Sequence, residues 1–288
     1  MSLSDGTVVT YPAGATTSTG TVAGVMDAGG GRTAIVLDAT AFHPVDTAWP
    51  DQPADRGMLR VGDAVYDVVD AVIGATQGDG LLLGPDVPVR TGTEGWTFVV
   101  AHLVEDSAIA LGDPVEVEVD AAYRAALSAG HTACHLASLA LDAALAEAWT
   151  KPAPTDALGA PAFDSLAIQE SRIVPDGSRD VYRVGKSLRR KGFDPAVLDD
   201  VASIAARANG LLAAWIATGA PVHVEAPGET LAARRSWVCA LPGGEARIPC
   251  GGTHVSSLAE LRSAVVSLEA HSVEGGLELV MTTAAVRA

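Results

Sequence analysis

"DPVEVEVDAAYRAALSAGHTACHLASLALDAALAEAW", residues 113–149, changes character partway along. Residues 113–120 alternate valine with acid, the period-two pattern of a strand with one buried and one wetted face. From Ala121 the chain turns alanine- and leucine-rich, and Leu136, Leu139 and Ala143 recur at helical spacing. Gly130 is a weak point in this helix, so the pattern allows a start on either side of it.

Upstream, short Val-, Ile- and Thr-rich runs such as "TVVTYPAG", "TAIVLDAT", "DAVYDVVDAVIGA" and "WTFVVAHLV" are separated by Gly, Asp and Pro clusters. That rhythm predicts a small barrel or sandwich. Downstream, residues 151–180 carry four prolines and little periodicity, and read as a long excursion. A second helix is signalled by Asp194 as cap, Pro195 in the first turn and Gly219 as stop. Strand-like runs follow: "PVHVEA", "SWVCAL", "AVVSLEA" and "GLELVMTTAAV". The expected class is α+β, with a small N-terminal β-barrel domain over 1–118 and a mixed α/β domain over 119–288.

Composition narrows the function classes. The 288 residues are 48% hydrophobic and 19% charged, as in a globular protein, and no run of 18 uncharged apolar residues suggests a membrane span. The first residues show neither a basic nor an apolar leader segment, so no secretory signal is visible. Three cysteines, Cys134, Cys239 and Cys250, are too few for a disulfide framework and fit a reducing cytoplasm. A formal net charge of −16 argues against broad, nonspecific affinity for nucleic acid. Neither DNA nor a membrane is an expected partner, and the oligomeric state is unknown from sequence. Arg183, Lys186, Arg189, Arg190 and Lys191 nevertheless gather within nine positions. A solvated loop or helix face is the plain reading of that cluster.

Chemistry is suggested by two short segments, "HTACH" at 131–135 and "CGGTH" at 250–254. Residues four apart on a helix share one face, so His131 and His135 can aim two imidazoles at one point. Cys250 and His254 repeat the spacing, and zinc takes nitrogen and thiolate ligands in tetrahedral geometry. The two glycines let the backbone turn tightly. A shared metal site is the sharper reading; a satisfied polar core with a chance cysteine is the alternative. A zincin-type protease is disfavoured, because Thr132 stands where that motif needs glutamate. Cys134 points about 100° away from the histidine pair on a helix and reads as a core thiol, as does Cys239 in its apolar run. His43, His102, His223 and His271 have no partner at ligand spacing and read as surface or packing residues.

"HTACHLASLAL" with a distant "CGGTH" resembles the editing domain of alanyl-tRNA synthetases and their free-standing AlaX-type relatives. The stretch "LDATAFHPVDTAWPDQPADRGML" at 37–59 is similar to the family's Thr-x-Phe-Tyr-Pro and Gln-Pro-x-Asp-x-Gly segments, with Thr40, Phe42, Pro44, Gln52, Pro53, Asp55 and Gly57 matching. It departs at His43, where the family has tyrosine, and at "VDTAWPD", a longer run in place of glycines. The resemblance implies that residues 119–288 form a zinc-dependent editing domain. The implied activity hydrolyses the ester joining serine or glycine to alanine tRNA. His131, His135, Cys250 and His254 are the implied zinc ligands, and Thr40 and Gln52 the implied residues beside the amino acid. The implied partner is mischarged tRNA; the 183–191 cluster, by its charge, is the candidate contact for it. Two rivals stand beside this reading: another zinc hydrolase of a small amino-acid ester or conjugate, and a non-catalytic tRNA-binding protein with structural zinc.

Overall fold

The alternation of residues 113–120 becomes the strand Pro114–Val119, with Val115, Val117 and Val119 buried and Glu116 and Glu118 exposed. The computed structural model describes residues 3–78 and 80–288 and is mixed α+β, rich in sheet. Its chain divides into two compact units.

The first unit comprises Met1–Ala125, Val224–Ser236 and Pro249–Thr253. Its main sheet has the strand order Gly57–Val61, Pro114–Val119, Thr17–Gly29, Arg32–Leu37, Thr97–Glu105, Ala64–Thr76 and Leu82–Leu83. Gly57–Val61 pairs with Ala64–Thr76 as well as with Pro114–Val119. Ile35, Leu37, Phe42, Leu59, Phe98 and Val100 form the core on one side of this sheet. The 13-residue strand Thr17–Gly29 was not among the expected runs, because its threonines, serine and glycines bury only Val22. Gly57 is fixed by crowding: a Cβ there would overlap the Glu118 carbonyl of the neighbouring strand, and its φ is +157°.

A buried ion pair ties this sheet to the start of the long helix. Arg124 lies in the first turn of the helix Ala121–Ala144. Its Nε donates to Asp55 Oδ1 at 2.7 Å, and a second guanidinium nitrogen meets Asp55 Oδ2. The same side chain donates to the carbonyls of Ala41 (2.8 Å) and Ala15 (3.2 Å), while Asp55 also accepts the His43 backbone N–H at 2.6 Å. Both side chains are at most 5% exposed.

The second unit comprises Ala126–His223, Trp237–Ile248 and His254–Ala288. The long helix runs straight through Gly130, settling where it starts. Glycine is needed there because a Cβ would lie 2.5 Å from the Val174 carbonyl and 2.6 Å from that of Gly177. Those residues flank the turn of a hairpin, Ile168–Val174 and Gly177–Val184, in place of the second half of the expected excursion. Buried Ser171, Ile173, Ser178, Asp180 and Tyr182 give the hairpin an inner face that its polar and charged residues hide in the sequence. A four-stranded antiparallel sheet continues from it in the order Ile168–Val174, Gly177–Val184, Gly276–Arg287, Leu261–Val273. Asp194 caps a short 3-10 turn, Pro195–Asp200, and Asp200 in turn caps the α-helix Val201–Ile216 by accepting from the Ser203 N–H. Gly219, with φ +59°, follows that helix as expected.

Three acids lie in this unit's interior. Asp142 accepts the Asp164 N–H at 2.7 Å, Tyr182 donates to Asp164 at 3.0 Å, and Ser171 and Ser178 donate to Asp180 at 2.6 and 2.8 Å. Cys134 faces Asp180 at 3.6 Å, a buried thiol as expected, and Cys239 is fully buried. Burial pushes the Asp142 carboxyl up to about 9 and that of Asp164 up to about 6, and it also raises Asp180.

Removing one partner of a desolvated ion pair leaves an uncompensated buried charge. Asp55→Ala should therefore lower unfolding stability by about 3–5 kcal/mol in denaturant titrations. A loss below about 1 kcal/mol, the scale of an exposed pair, would show that Arg124 is not held as described.

Candidate metal centre

One helix turn separates His131 from His135, and their rings lie 4.8 Å apart on the same face. His254 brings a third ring, 4.4 Å from His131 and 5.1 Å from His135. The possible ligand atoms of His131, His135, Cys250 and His254 all lie within 4.8 Å of one another. Such a spread suits one ion with nitrogen and thiolate donors. Burial holds His135 neutral, with its pKa lowered to about 4, and its Nε2 is a buried atom with no hydrogen-bond partner among the described residues. A neutral imidazole is the form that ligates a metal, and an orphaned buried nitrogen is one that a cation would satisfy. Trp237 packs on the His135 ring at 5.1 Å and covers it on one side.

Cys250 follows the strand Gly244–Pro249, and its backbone N–H donates to the Arg235 carbonyl at 3.1 Å. Burial pushes its thiol up to about 12, and the nearby Asp51 raises it further; the Gly252 N–H, 3.4 Å from Sγ, opposes both. A thiolate there calls for a positive partner, which a divalent cation supplies. The donors and their surroundings fit a zinc ion.

Two pairs of hydrogen bonds hold the segment that carries His254, and neither was read from the sequence. In the first unit, Gln52 Nε2 donates to Thr253 Oγ1 and the Thr253 N–H donates to Gln52 Oε1, both at 3.0 Å. In the second, Thr132 Oγ1 lies 3.2 Å from His254 Nδ1 and accepts the Val255 N–H at 3.2 Å. In the sequence Thr132 stands out only as the residue that is not glutamate; its place between two candidate ligand histidines was the available signal. Arg124, the one arginine or lysine of the helix Ala121–Ala144, was the signal for the buried ion pair.

The other expected site residues are distributed as follows. Thr40 is fully buried, and its hydroxyl meets His102 Nε2 at 2.9 Å while accepting the Phe42 N–H at 3.1 Å. His102 in turn bonds the Ile35 carbonyl through Nδ1, and burial lowers its pKa to about 4. His43 is buried edge-on to Tyr11, with Gln52 Nε2 3.5 Å from its Nδ1. Lys186, Arg189, Arg190 and Lys191 are exposed on or just beyond the short helix Lys186–Arg190, and Arg183 is half-buried on the preceding strand. Arg183 donates to the Glu274 carbonyl and Arg189 to that of Gly275 at 3.5 Å. Among the described residues, no helix is long and apolar enough to cross a membrane.

No known family model matches the chain. Curated relatives do. The alanine–tRNA ligase of Frankia alni is 28% identical over 251 residues, 87% of this chain and 24% of the ligase. That of Synechococcus sp. JA-3-3Ab is 29% identical over 230 residues, 79% of this chain and 21% of the ligase. That of Synechococcus sp. CC9605 reaches 41% over 91 residues, 28% of this chain. The chain thus spans about a quarter or less of the length of these ligases.

Gln52→Leu keeps the volume but leaves the buried Thr253 N–H unpaired, at a cost of about 1–3 kcal/mol. Amide exchange at Thr253, followed by NMR or mass spectrometry, should accelerate by roughly 5- to 150-fold. An unchanged rate would mean that Gln52 does not hold this segment.

Proposed function

We propose that the chain is a zinc-dependent hydrolase that removes a wrongly attached amino acid, serine or glycine, from alanine tRNA, acting in trans in the cytoplasm. The supporting observation is the convergence of His131, His135, Cys250 and His254 within 4.8 Å, in a chain similar over most of its length to part of alanine–tRNA ligases. Residues 119–288 carry the editing activity in this reading, and the sheet of residues 1–118 is a small barrel. The reaction adds water across the aminoacyl ester, giving a free amino acid and a free tRNA 3′ hydroxyl. Zinc, when bound, supplies a Lewis acid for the carbonyl and an acidified water.

The chain's own residues do the positioning. The helix presents His131 and His135 on one face, and burial keeps His135 in its ligating form. Thr40 and Gln52 stand beside the amino acid in this reading. The Thr40 hydroxyl is held by His102 and the Gln52 amide by Thr253, so both are polar groups of fixed direction. Lys186, Arg190 and Lys191 meet tRNA phosphates, joined by Arg183 and Arg189 where their carbonyl bonds leave donors over. Four protein donors would also fill a tetrahedral zinc shell, which favours a structural ion as the second reading.

Purified protein should hydrolyse seryl- or glycyl-tRNA much faster than alanyl-tRNA, and a strong chelator should abolish the activity. Cys250→Ala should lose zinc and hydrolysis together. Full activity in metal-free protein would reject the zinc reading, and zinc-loaded protein that binds tRNA without hydrolysis would establish the structural one.

The triple change Arg189→Ala, Arg190→Ala, Lys191→Ala should lower the slope of log affinity for tRNA against log salt by up to about 3, roughly one for each phosphate no longer neutralised. The maximal rate should stay near wild type while the Michaelis constant rises. An unchanged slope would return the cluster to a solvated face.

A further inference from the structure

We propose that Thr132 fixes the tautomer and direction of the His254 ring for metal binding; this deepens the zinc reading and rests on it. Thr132 is fully buried in the turn of helix between His131 and His135. Its hydroxyl oxygen accepts the Val255 N–H at 3.2 Å and lies 3.2 Å from His254 Nδ1. It therefore holds the ring nitrogen of residue 254 and the backbone nitrogen of residue 255 at once.

This arrangement decides which nitrogen serves the ion. With Nδ1 committed to Thr132, Nε2 is the nitrogen of His254 assigned to the metal. A neutral imidazole that ligates through Nε2 carries its proton on Nδ1 and needs an acceptor there. A hydroxyl oxygen has two lone pairs, so Thr132 can accept from Val255 and from Nδ1–H together. Glutamate, the zincin residue at this position, would serve as a general base; threonine here turns the same helix position to holding a ligand. The partner of a ligating histidine commonly sets metal affinity by 10- to 100-fold.

The test measures zinc affinity by competition with a chromophoric chelator on the full chain, with melting of the metal-free protein alongside. Thr132→Val keeps the shape and removes the acceptor, and should weaken zinc binding by about 10- to 100-fold. Thr132→Ser restores the oxygen and should bind within about threefold of wild type. Metal-free melting that stays near wild type in Thr132→Val separates the effect from a packing defect. If the valine variant melts lower, because the Val255 N–H has lost its acceptor, or fails to fold, the serine variant carries the test: binding as weak as that of Thr132→Ala would overturn the proposal. Wild-type affinity in Thr132→Val would overturn it while leaving the zinc reading intact. Absence of zinc binding by the wild type would overturn both.

Discussion

The guanidinium of Arg124 is the interaction on which the site depends. It enters a nearly dry environment and can stay there only because Asp55 and two carbonyls take its hydrogens. That requirement leaves little freedom in how the helix begins. From Arg124, His131 and His135 follow about two and three turns later on the same stripe of the helix. Setting the helix at its first turn therefore sets the rotation of both imidazoles. Asp55 lies three residues after Gln52, so one short stretch of loop supplies both the counter-ion for the helix and the amide that clasps Thr253.

The Cys-x-x-x-His segment is held residue by residue rather than by secondary structure. Thr253 is bonded to Gln52, His254 to Thr132, and the Val255 amide again to Thr132. A glycine-rich loop has high conformational entropy, and three consecutive anchored residues offset it where the donor set must be exact. Preorganisation of this kind is what separates a cluster of metal-binding side chains from a metal site.

Much of this was legible in the sequence, and the reasons differ by element. Valine alternation marked the strand Pro114–Val119, and helical spacing marked the long helix, because both bury a face whose period is unmistakable. The four donors could be paired from spacing and residue type. The strand Thr17–Gly29 and the hairpin at 168–184 escaped notice, since small and polar residues dominate them and their burial is decided by neighbours far away in sequence. Gly130 read as a weakness in the helix, whereas its missing side chain admits another backbone. Thr132 and Gln52 act through partners over a hundred residues away, 122 and 201 positions respectively. No local pattern can announce such a pairing.

The interior acids of the second unit have a consequence for the charge of the folded chain. Asp142, with its carboxyl pushed up to about 9, holds its proton at neutral pH in the native state and releases it on unfolding, and Asp164, near 6, does so partially. At these two carboxyls folding is an act of proton uptake. Because these pKa values are raised on folding, the native state binds more protons, so their contribution favours folding most below about pH 4 and is lost as pH rises through 6 and then 9. At neutral pH Asp142 takes up a proton on refolding, while buried His43, His102 and His135, lowered to about 4, release the fraction they carry when unfolded. The formal −16 counts every carboxylate as ionised. A polyanion approaching the folded surface would meet a less negative protein than the composition implies.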